Sequence, residues 1–297
     1  MSLRIGTRGS ALARTQSQWV ADRLGVDCDL VEITTTGDRG AGIGDKARFV
    51  KEIEEALLAG EVDLAVHSAK DVPGQLPEGL AIVGVPERED ARDALVGAGS
   101  LDDLPEGAGV GTSSLRRRAQ LLAARPDLVV EELRGNVDTR LRKLAEGQHD
   151  AVVLALAGLR RLGRDQGAAP LDAIALTPAP GQGCLALEAR RDDDETAALA
   201  AAVTDPAALV RLTAERALVE RLEATCHTPV GAYAELGDDG LLLAAFVGMP
   251  DGSTWIRDAA VGDAEQPAAL GAAVGERLLA AGAGELLAEA NRLAARA

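Results

Sequence analysis

At 297 residues, 47% hydrophobic and only 2% aromatic, the chain is long enough for two or three domains whose cores Ala, Val and Leu must fill. A formal net charge of -16 repels nucleic acid and anionic membranes at long range, which excludes both as partners but leaves room for a local basic pocket holding a small anion. Three cysteines, Cys28, Cys184 and Cys226, show neither a disulfide framework nor metal-ligand spacing. With no eighteen-residue apolar run and no apolar leader, they predict a soluble cytoplasmic protein without a metal.

Only four of the 31 basic residues are lysine (Lys46, Lys51, Lys70, Lys143), so arginine supplies the other 27. Together with acidic runs such as Arg191 to Glu195, this fits either a high-salt habitat or a GC-rich genome.

Residues 3–6 read as a short strand leading into Thr7, Arg8, Gly9 and Ser10. Leu12, Gln16, Trp19, Val20 and Leu24 then recur at helical spacing, with Ser10 as the N-cap, so free amides beside Arg8 offer a place for an anion. A β-branched strand is expected over residues 30–36. The glycine-rich stretch 37–44 follows with Asp38, Arg39 and Asp45, as either a lid or a disordered connector. Phe49, Ile53, Ala56 and Leu57 form a helix face that ends at Gly60. Leu64, Ala65 and Val66 then read as a buried strand running directly into His67, Ser68, Lys70 and Asp71, until Pro73 stops it. Ligands of open α/β sheets bind outside the carboxyl ends of strands, so Lys70 and Asp71 are candidates for chemistry; a surface ion pair is the alternative.

Residues 79–86 form another strand, and the charged stretch 87–93 reads as a crossover to a second unit. Three strand-to-helix junctions then carry arginine. Residues 109–112 run through Ser113 and Ser114 into Arg116, Arg117 and Arg118. Residues 129–133 end in Arg134, Gly135 and Asn136, ahead of Arg140 and Arg142. Residues 151–157 precede Gly158, Arg160 and Arg161. All three are expected at one edge of one parallel sheet, making a basic pocket in an acidic protein. None of Arg116, Arg117 and Arg118 has an acid four residues on, which favours pocket positions over paired helix-surface ones. Their forked guanidiniums suit carboxylates or phosphates, and nothing matches the lysine-bearing loop of nucleotide hydrolases.

After the irregular stretch 177–183, residues 184–189 read as a strand, and a boundary falls near Asp205 and Pro206. The next helix carries Leu209, Leu212, Val219 and Leu222 on one face, followed by a polar loop, 223–229, that contains Cys226 beside His227. Loop exposure and a neighbouring imidazole favour a reactive thiolate over an accidental cysteine, whereas Cys28 and Cys184, in or beside strands, read as inert. Antiparallel strands are expected at 232–236, 241–247 and 254–261, with Pro250, Asp251 and Gly252 as a turn, and a long helical region from about Pro267.

The segments Thr7-Arg8-Gly9-Ser10, Phe49-Val50-Lys51-Glu52, Val66-His67-Ser68-Ala69-Lys70-Asp71-Val72-Pro73, Gly111-Thr112-Ser113-Ser114-Leu115-Arg116-Arg117, Leu133-Arg134-Gly135-Asn136, Gly181-Gln182-Gly183 and Leu222-Glu223-Ala224-Thr225-Cys226 closely resemble, in order, those of the porphobilinogen deaminase (hydroxymethylbilane synthase) family. The resemblance implies a three-domain α/β enzyme. Residues 1–86 with 184–201, and residues 91–177, would resemble the two lobes of a periplasmic anion-binding protein; 206–297 would form a smaller α/β domain with an antiparallel sheet. It implies a monomeric transferase of tetrapyrrole biosynthesis that acts on the small molecule porphobilinogen, with no nucleic-acid or membrane partner. Four porphobilinogen molecules would be joined head to tail with release of ammonia, and the linear tetrapyrrole hydroxymethylbilane hydrolysed off.

By the same resemblance Cys226 would hold a dipyrromethane cofactor through a thioether, and Asp71 would be the catalytic carboxylate. Arg8, Ser10, Ser68, Lys70, Thr112, Ser113, Ser114, Arg116, Arg117, Arg134, Gly135, Arg140 and Arg161 would bind the acetate and propionate groups of cofactor and substrate, with Lys46 a lid lysine. Two departures stand out. Ala224 and Thr225 replace the family's usual glycines before the cysteine, and Asp45 and Ala47 replace those around Lys46. A pure anion-binding protein would leave Cys226 without a task. A Cys-His hydrolase using His67 or His149 as base would leave the arginine junctions and Asp71 without one.

Overall fold

The computed structural model describes residues 2–35, 50–224 and 228–294. Strand β1 (Leu3–Thr7) leads into helix α1 (Ala11–Leu24). The Ser10 hydroxyl accepts from the Ala13 amide at 3.2 Å, so it caps α1 as expected, and Gly25 ends the helix at φ +70°. Strand β2 spans Cys28–Glu32 and not 30–36, because its parallel register on β1, from Leu3 opposite Cys28 to Thr7 opposite Glu32, decides which five residues pair. The β-branched stretch behind it indicated strand propensity but not register. Helix α2 (Lys51–Leu58), β3 (Leu64–Ser68) and β4 (Leu80–Gly84) follow.

The second unit holds β5 (Asp93–Val96), β6 (Gly109–Gly111), α3 (Leu115–Ala124), β7 (Val129–Glu131), α4 (Val137–Ala145), β8 (Ala151–Ala155), α5 (Leu156–Arg161) and β9 (Ala168–Pro170). Its sheet has the order β7-β6-β8-β5-β9. β6 lies parallel to both β7 and β8, so the three arginine junctions share one edge as the sequence indicates. β5, however, is antiparallel to β8 and β9, which makes the sheet mixed and not parallel. β5 opens with a charged residue and has only four, so it reads as part of the crossover.

The chain then returns to the first sheet as β10 (Leu185–Arg190), inserted antiparallel between β3 and β4, giving the order β2-β1-β3-β10-β4. Helix α6 (Asp194–Ala202) packs beside it, and α7 (Pro206–Arg221) joins two cores. Ala208 and Leu212 pack on the first sheet, while Ala214, Leu218 and Leu222 pack on the third. Of the expected face, Leu212 and Leu222 are buried and Val219 is half-buried, but the two-sided duty leaves Leu209 43% exposed. Strands β11 (Val230–Gly237), β12 (Gly240–Gly248) and β13 (Trp255–Gly262) form the expected antiparallel meander. The final helical region is two helices, α8 (Pro267–Ala280) and α9 (Ala283–Ala294), separated at Gly282 with φ +98°. No single helix among the described residues is long and apolar enough to cross a membrane.

One polar cluster sits inside the first core. His67 on β3 lies 3.0 Å from Glu188 on β10, both buried, and the buried Glu54 of α2 faces them. Burial, and next the Glu188 charge, push the Glu54 carboxyl up from 4.5 to about 7. A raised carboxyl disfavours the folded state above its unfolded pKa. Glu54→Gln is therefore expected to stabilise the protein at pH 8 by on the order of 1–3 kcal/mol, an advantage that shrinks as pH falls toward 4.5. Urea unfolding at the two pH values measures it.

Candidate active site

Beyond β3 the chain makes a single tight helical turn, Ala69–Asp71, before Val72 returns to extended backbone. Two contacts anchor the turn: the Ala69 amide donates to the Cys184 carbonyl at 3.0 Å, and Gly181 packs so closely on Ala69 that an added Cβ would lie 3.1 Å from it. Lys70 and Asp71 are thereby held at the carboxyl end of the strand, both partly exposed. Lys70 Nζ donates to Gln182 Oε1 at 3.2 Å, and Ser68 Oγ accepts from Gln16 Nε2 at 3.0 Å. β1 is the parallel neighbour of β3, so Arg8 and the first amides of α1 lie at the same sheet edge. The Ser10 hydroxyl already serves as the α1 cap.

In the second unit Thr112 Oγ1 accepts from the Ser114 amide at 3.2 Å, and Ser114 Oγ caps α3 by accepting from the Arg117 amide at 3.4 Å. Arg140 Nη2 donates to the exposed Ser113 hydroxyl at 3.1 Å, and its Nε donates to the Gly135 carbonyl at 2.7 Å. Gly135 sits at φ +121°, a backbone that favours glycine. Burial, and then the Arg117 charge, push the Arg140 guanidinium down to about 10. Arg161 donates to the Gly183 carbonyl at 2.8 Å and is lowered by burial. Arg134 is exposed and pairs with Glu132 at 2.7 Å.

Arg116 and Arg117 lie deeper and are better paired than their helical spacing indicates. They are 4% and 5% exposed and converge on Asp93, itself fully buried, at 2.8 Å and 2.7 Å. Arg117 Nη1 also donates to the Val153 carbonyl, and Arg116 Nη1 to that of Thr177. The acid missing at i+4 comes instead from β5, 23 residues before Arg116. Burial alone would raise the Asp93 carboxyl; the two guanidiniums outweigh it and hold it well below the usual carboxylate range. Two cations against one anion leave a buried positive excess, and Arg116 Nε is buried without a hydrogen-bond partner. Arg117→Leu is expected to weaken the pairing of a buried carboxylate and to lower stability by about 3–5 kcal/mol, measurable by chemical unfolding.

Sequence reasoning assigns no role to Asp93, Arg88 and Glu215, and none to Gln182 beyond its place in a family segment. Glu215 on α7 is fully buried, pairs with Arg88 at 2.7 Å, and accepts from the amides of Gly181 at 2.6 Å and Ala234 at 2.8 Å. It thus ties the crossover, the segment before β10 and the third sheet. The signal available was the close spacing of Gly181 and Gly183 around a neutral polar residue. His67 is occupied with Glu188, and His149 lies 3.0 Å from Glu131. Lys46, the 37–44 stretch, Thr225, Cys226 and His227 lie outside the described residues.

Residues 3–198 match the family model described as porphobilinogen deaminase, dipyromethane cofactor binding domain, and residues 209–280 match porphobilinogen deaminase, C-terminal domain. The chain is 47% identical over 303 residues to a porphobilinogen deaminase of Brevibacillus brevis, covering 97% of each. It is 51% identical over 300 residues to one of Roseiflexus castenholzii, covering 97% of this chain and 99% of that one. Among solved structures, an ABC transporter periplasmic substrate-binding protein from Coxiella burnetii is similar at a TM-score of 0.42 and 18% identity, over 70% of this chain and 94% of that chain.

Proposed function

The chain belongs to the porphobilinogen deaminase family, and from that premise we propose that it condenses four porphobilinogen molecules into hydroxymethylbilane, as a transferase of tetrapyrrole biosynthesis. Residues 3–198 carry the family's dipyrromethane cofactor-binding domain. In this reading residues 1–86 with 184–201, 91–177 and 206–297 are its three domains, and the protein works as a cytoplasmic monomer.

The observation that carries the reading is the buried excess of guanidinium over carboxylate around Asp93, linked through Gln182 to the Lys70 and Asp71 turn. A pyrrole chain bearing acetate and propionate groups fits that excess, since its carboxylates supply the missing negative charge and an acceptor for Arg116 Nε. When bound, the cofactor supplies the terminal ring carbon onto which new units are joined. Cys226 would hold it through a thioether, with Arg116, Arg117, Arg140, Arg161 and Arg8 as the carboxylate donors nearest in role, and Ser68, Lys70, Thr112, Ser113, Ser114, Arg134, Gly135 and the cap at Ser10 around them. Lys46 would close over the site.

Each addition breaks the carbon–nitrogen bond of an aminomethyl group, releases ammonia, forms a carbon–carbon bond and frees one ring proton. Asp71 would carry a proton to the departing nitrogen, accept one from the ring, and offset the positive charge that develops on the pyrrole. Incubation with porphobilinogen tests this directly. One ammonia released per porphobilinogen consumed, with a linear tetrapyrrole as product, is expected; consumption without ammonia would reject the reading.

A further inference from the structure

The motif Gly181-Gln182-Gly183 contains one side chain that links the two halves of the site but takes no part in any step of the proposed reaction. Gln182 is 1% exposed. The flanking glycines have φ of +73° and +88°, and a Cβ on Gly183 would lie 2.2 Å from the Glu89 carbonyl oxygen. The backbone here is therefore pressed between the crossover and the turn that bears Lys70 and Asp71. Arg88 Nε donates to the Gln182 carbonyl at 3.0 Å, which fixes the peptide as well.

The Gln182 amide is engaged at both ends, by groups belonging to different sheets. Its Oε1 accepts from Lys70 Nζ at 3.2 Å. Its Nε2 donates to Asp93 Oδ1 at 2.8 Å and to the Ala91 carbonyl at 2.7 Å. Only one amide orientation satisfies these partners, because a flip would set a donor against the ammonium and an acceptor against the carboxylate. A neutral amide thus connects the cation beside Asp71 in the first unit to the anion that gathers Arg116 and Arg117 in the second.

We propose that Gln182 is a positioning residue that couples the arginine-lined carboxylate site to Lys70 beside the catalytic turn. The inference rests on the proposed role of Arg116 and Arg117 as carboxylate donors. A carboxylate arriving at those arginines shares their charge and loosens their hold on Asp93. Asp93 then accepts more strongly from Nε2, the amide polarises, and Oε1 holds Lys70 more firmly. Occupancy of one lobe would in this way set the geometry of the other, with no direct contact between Gln182 and substrate.

The test uses the holoenzyme and Gln182→Glu. A protonated acid reproduces an acceptor for Lys70 and a donor for Asp93, whereas the ionised form sets a second negative charge against Asp93. The variant should still carry the covalent pyrrole adduct by intact mass. Relative to wild type, its kcat should fall at least ~10-fold at pH 9 and recover as pH is lowered toward 5, with KM for porphobilinogen within about 3-fold. A kcat ratio that is flat across this range, or a loss confined to KM, overturns the proposal. If the glutamate variant does not fold, Gln182→Met decides: a kcat about 10-fold lower at similar KM supports coupling, and wild-type kcat overturns it. Failure of the underlying functional reading looks different, since wild type itself would then lack the adduct and the turnover.

Discussion

Cys226→Ser is expected to remove the covalent pyrrole adduct and, with it, all turnover. An intact mass of the wild-type protein should exceed the sequence mass by one dipyrromethane, and the serine variant should show none of that excess. The reasoning is chemical. Thioether formation needs a thiolate attacking an activated methylene carbon, and a serine hydroxyl at its ordinary pKa is a far weaker nucleophile. The other two cysteines are poorly placed for it. Cys184 is 1% exposed, and burial pushes its thiol up to about 11, so it stays protonated near neutrality. Cys28 is partly buried, and burial followed by the charges of Asp27, Asp29 and Asp22 raises its thiol too. Cys28→Ser and Cys184→Ser should therefore retain both adduct and activity. An adduct persisting in Cys226→Ser would reject the attachment site.

What the sequence made legible divides by the range of the interactions involved. The Ser10 cap, the meander around Asp251 and the three arginine junctions are all set by residues a few positions apart, so periodicity and cap chemistry are enough to place them. The Ala69–Asp71 turn, by contrast, is held by contacts to Gly181 and Cys184, and in the sequence it reads as a continuation of the strand to Pro73. The register of β2 and the antiparallel β5 are set by partners distant in the chain, and local propensity misjudged both. The same holds at the site. Arg116 and Arg117 look unpaired by helical spacing because their carboxylate arrives from β5. Glu215 draws no reading from the sequence; only α7 packed on two sheets makes it the buried partner of Arg88. Helical spacing indicates that such arginines face a pocket, but the depth of their burial and the carboxylate that pairs with them come from contacts distant in the chain.

Asp71→Asn is expected to fold like wild type yet lose turnover by ~100-fold or more, in line with typical acid–base and electrostatic contributions. Asparagine keeps the size of the side chain and most of its hydrogen bonds, but it removes the negative charge and the titratable proton. The Ala69–Asp71 turn should survive the change. Its anchors are the Ala69 amide on Cys184, the close packing of Gly181 and the Lys70 contact to Gln182, all independent of the Asp71 carboxylate. Asp71→Glu keeps the charge and moves it by one methylene, so it should retain part of the activity. A purely structural ion pair predicts the opposite ordering: melting temperature falls in both variants while turnover per folded molecule hardly changes. Melting temperature and single-turnover pyrrole addition, measured on both variants carrying the covalent adduct, separate these outcomes. Near-native turnover in Asp71→Asn would remove Asp71 from the chemistry and leave proton transfer to another group at the same sheet edge.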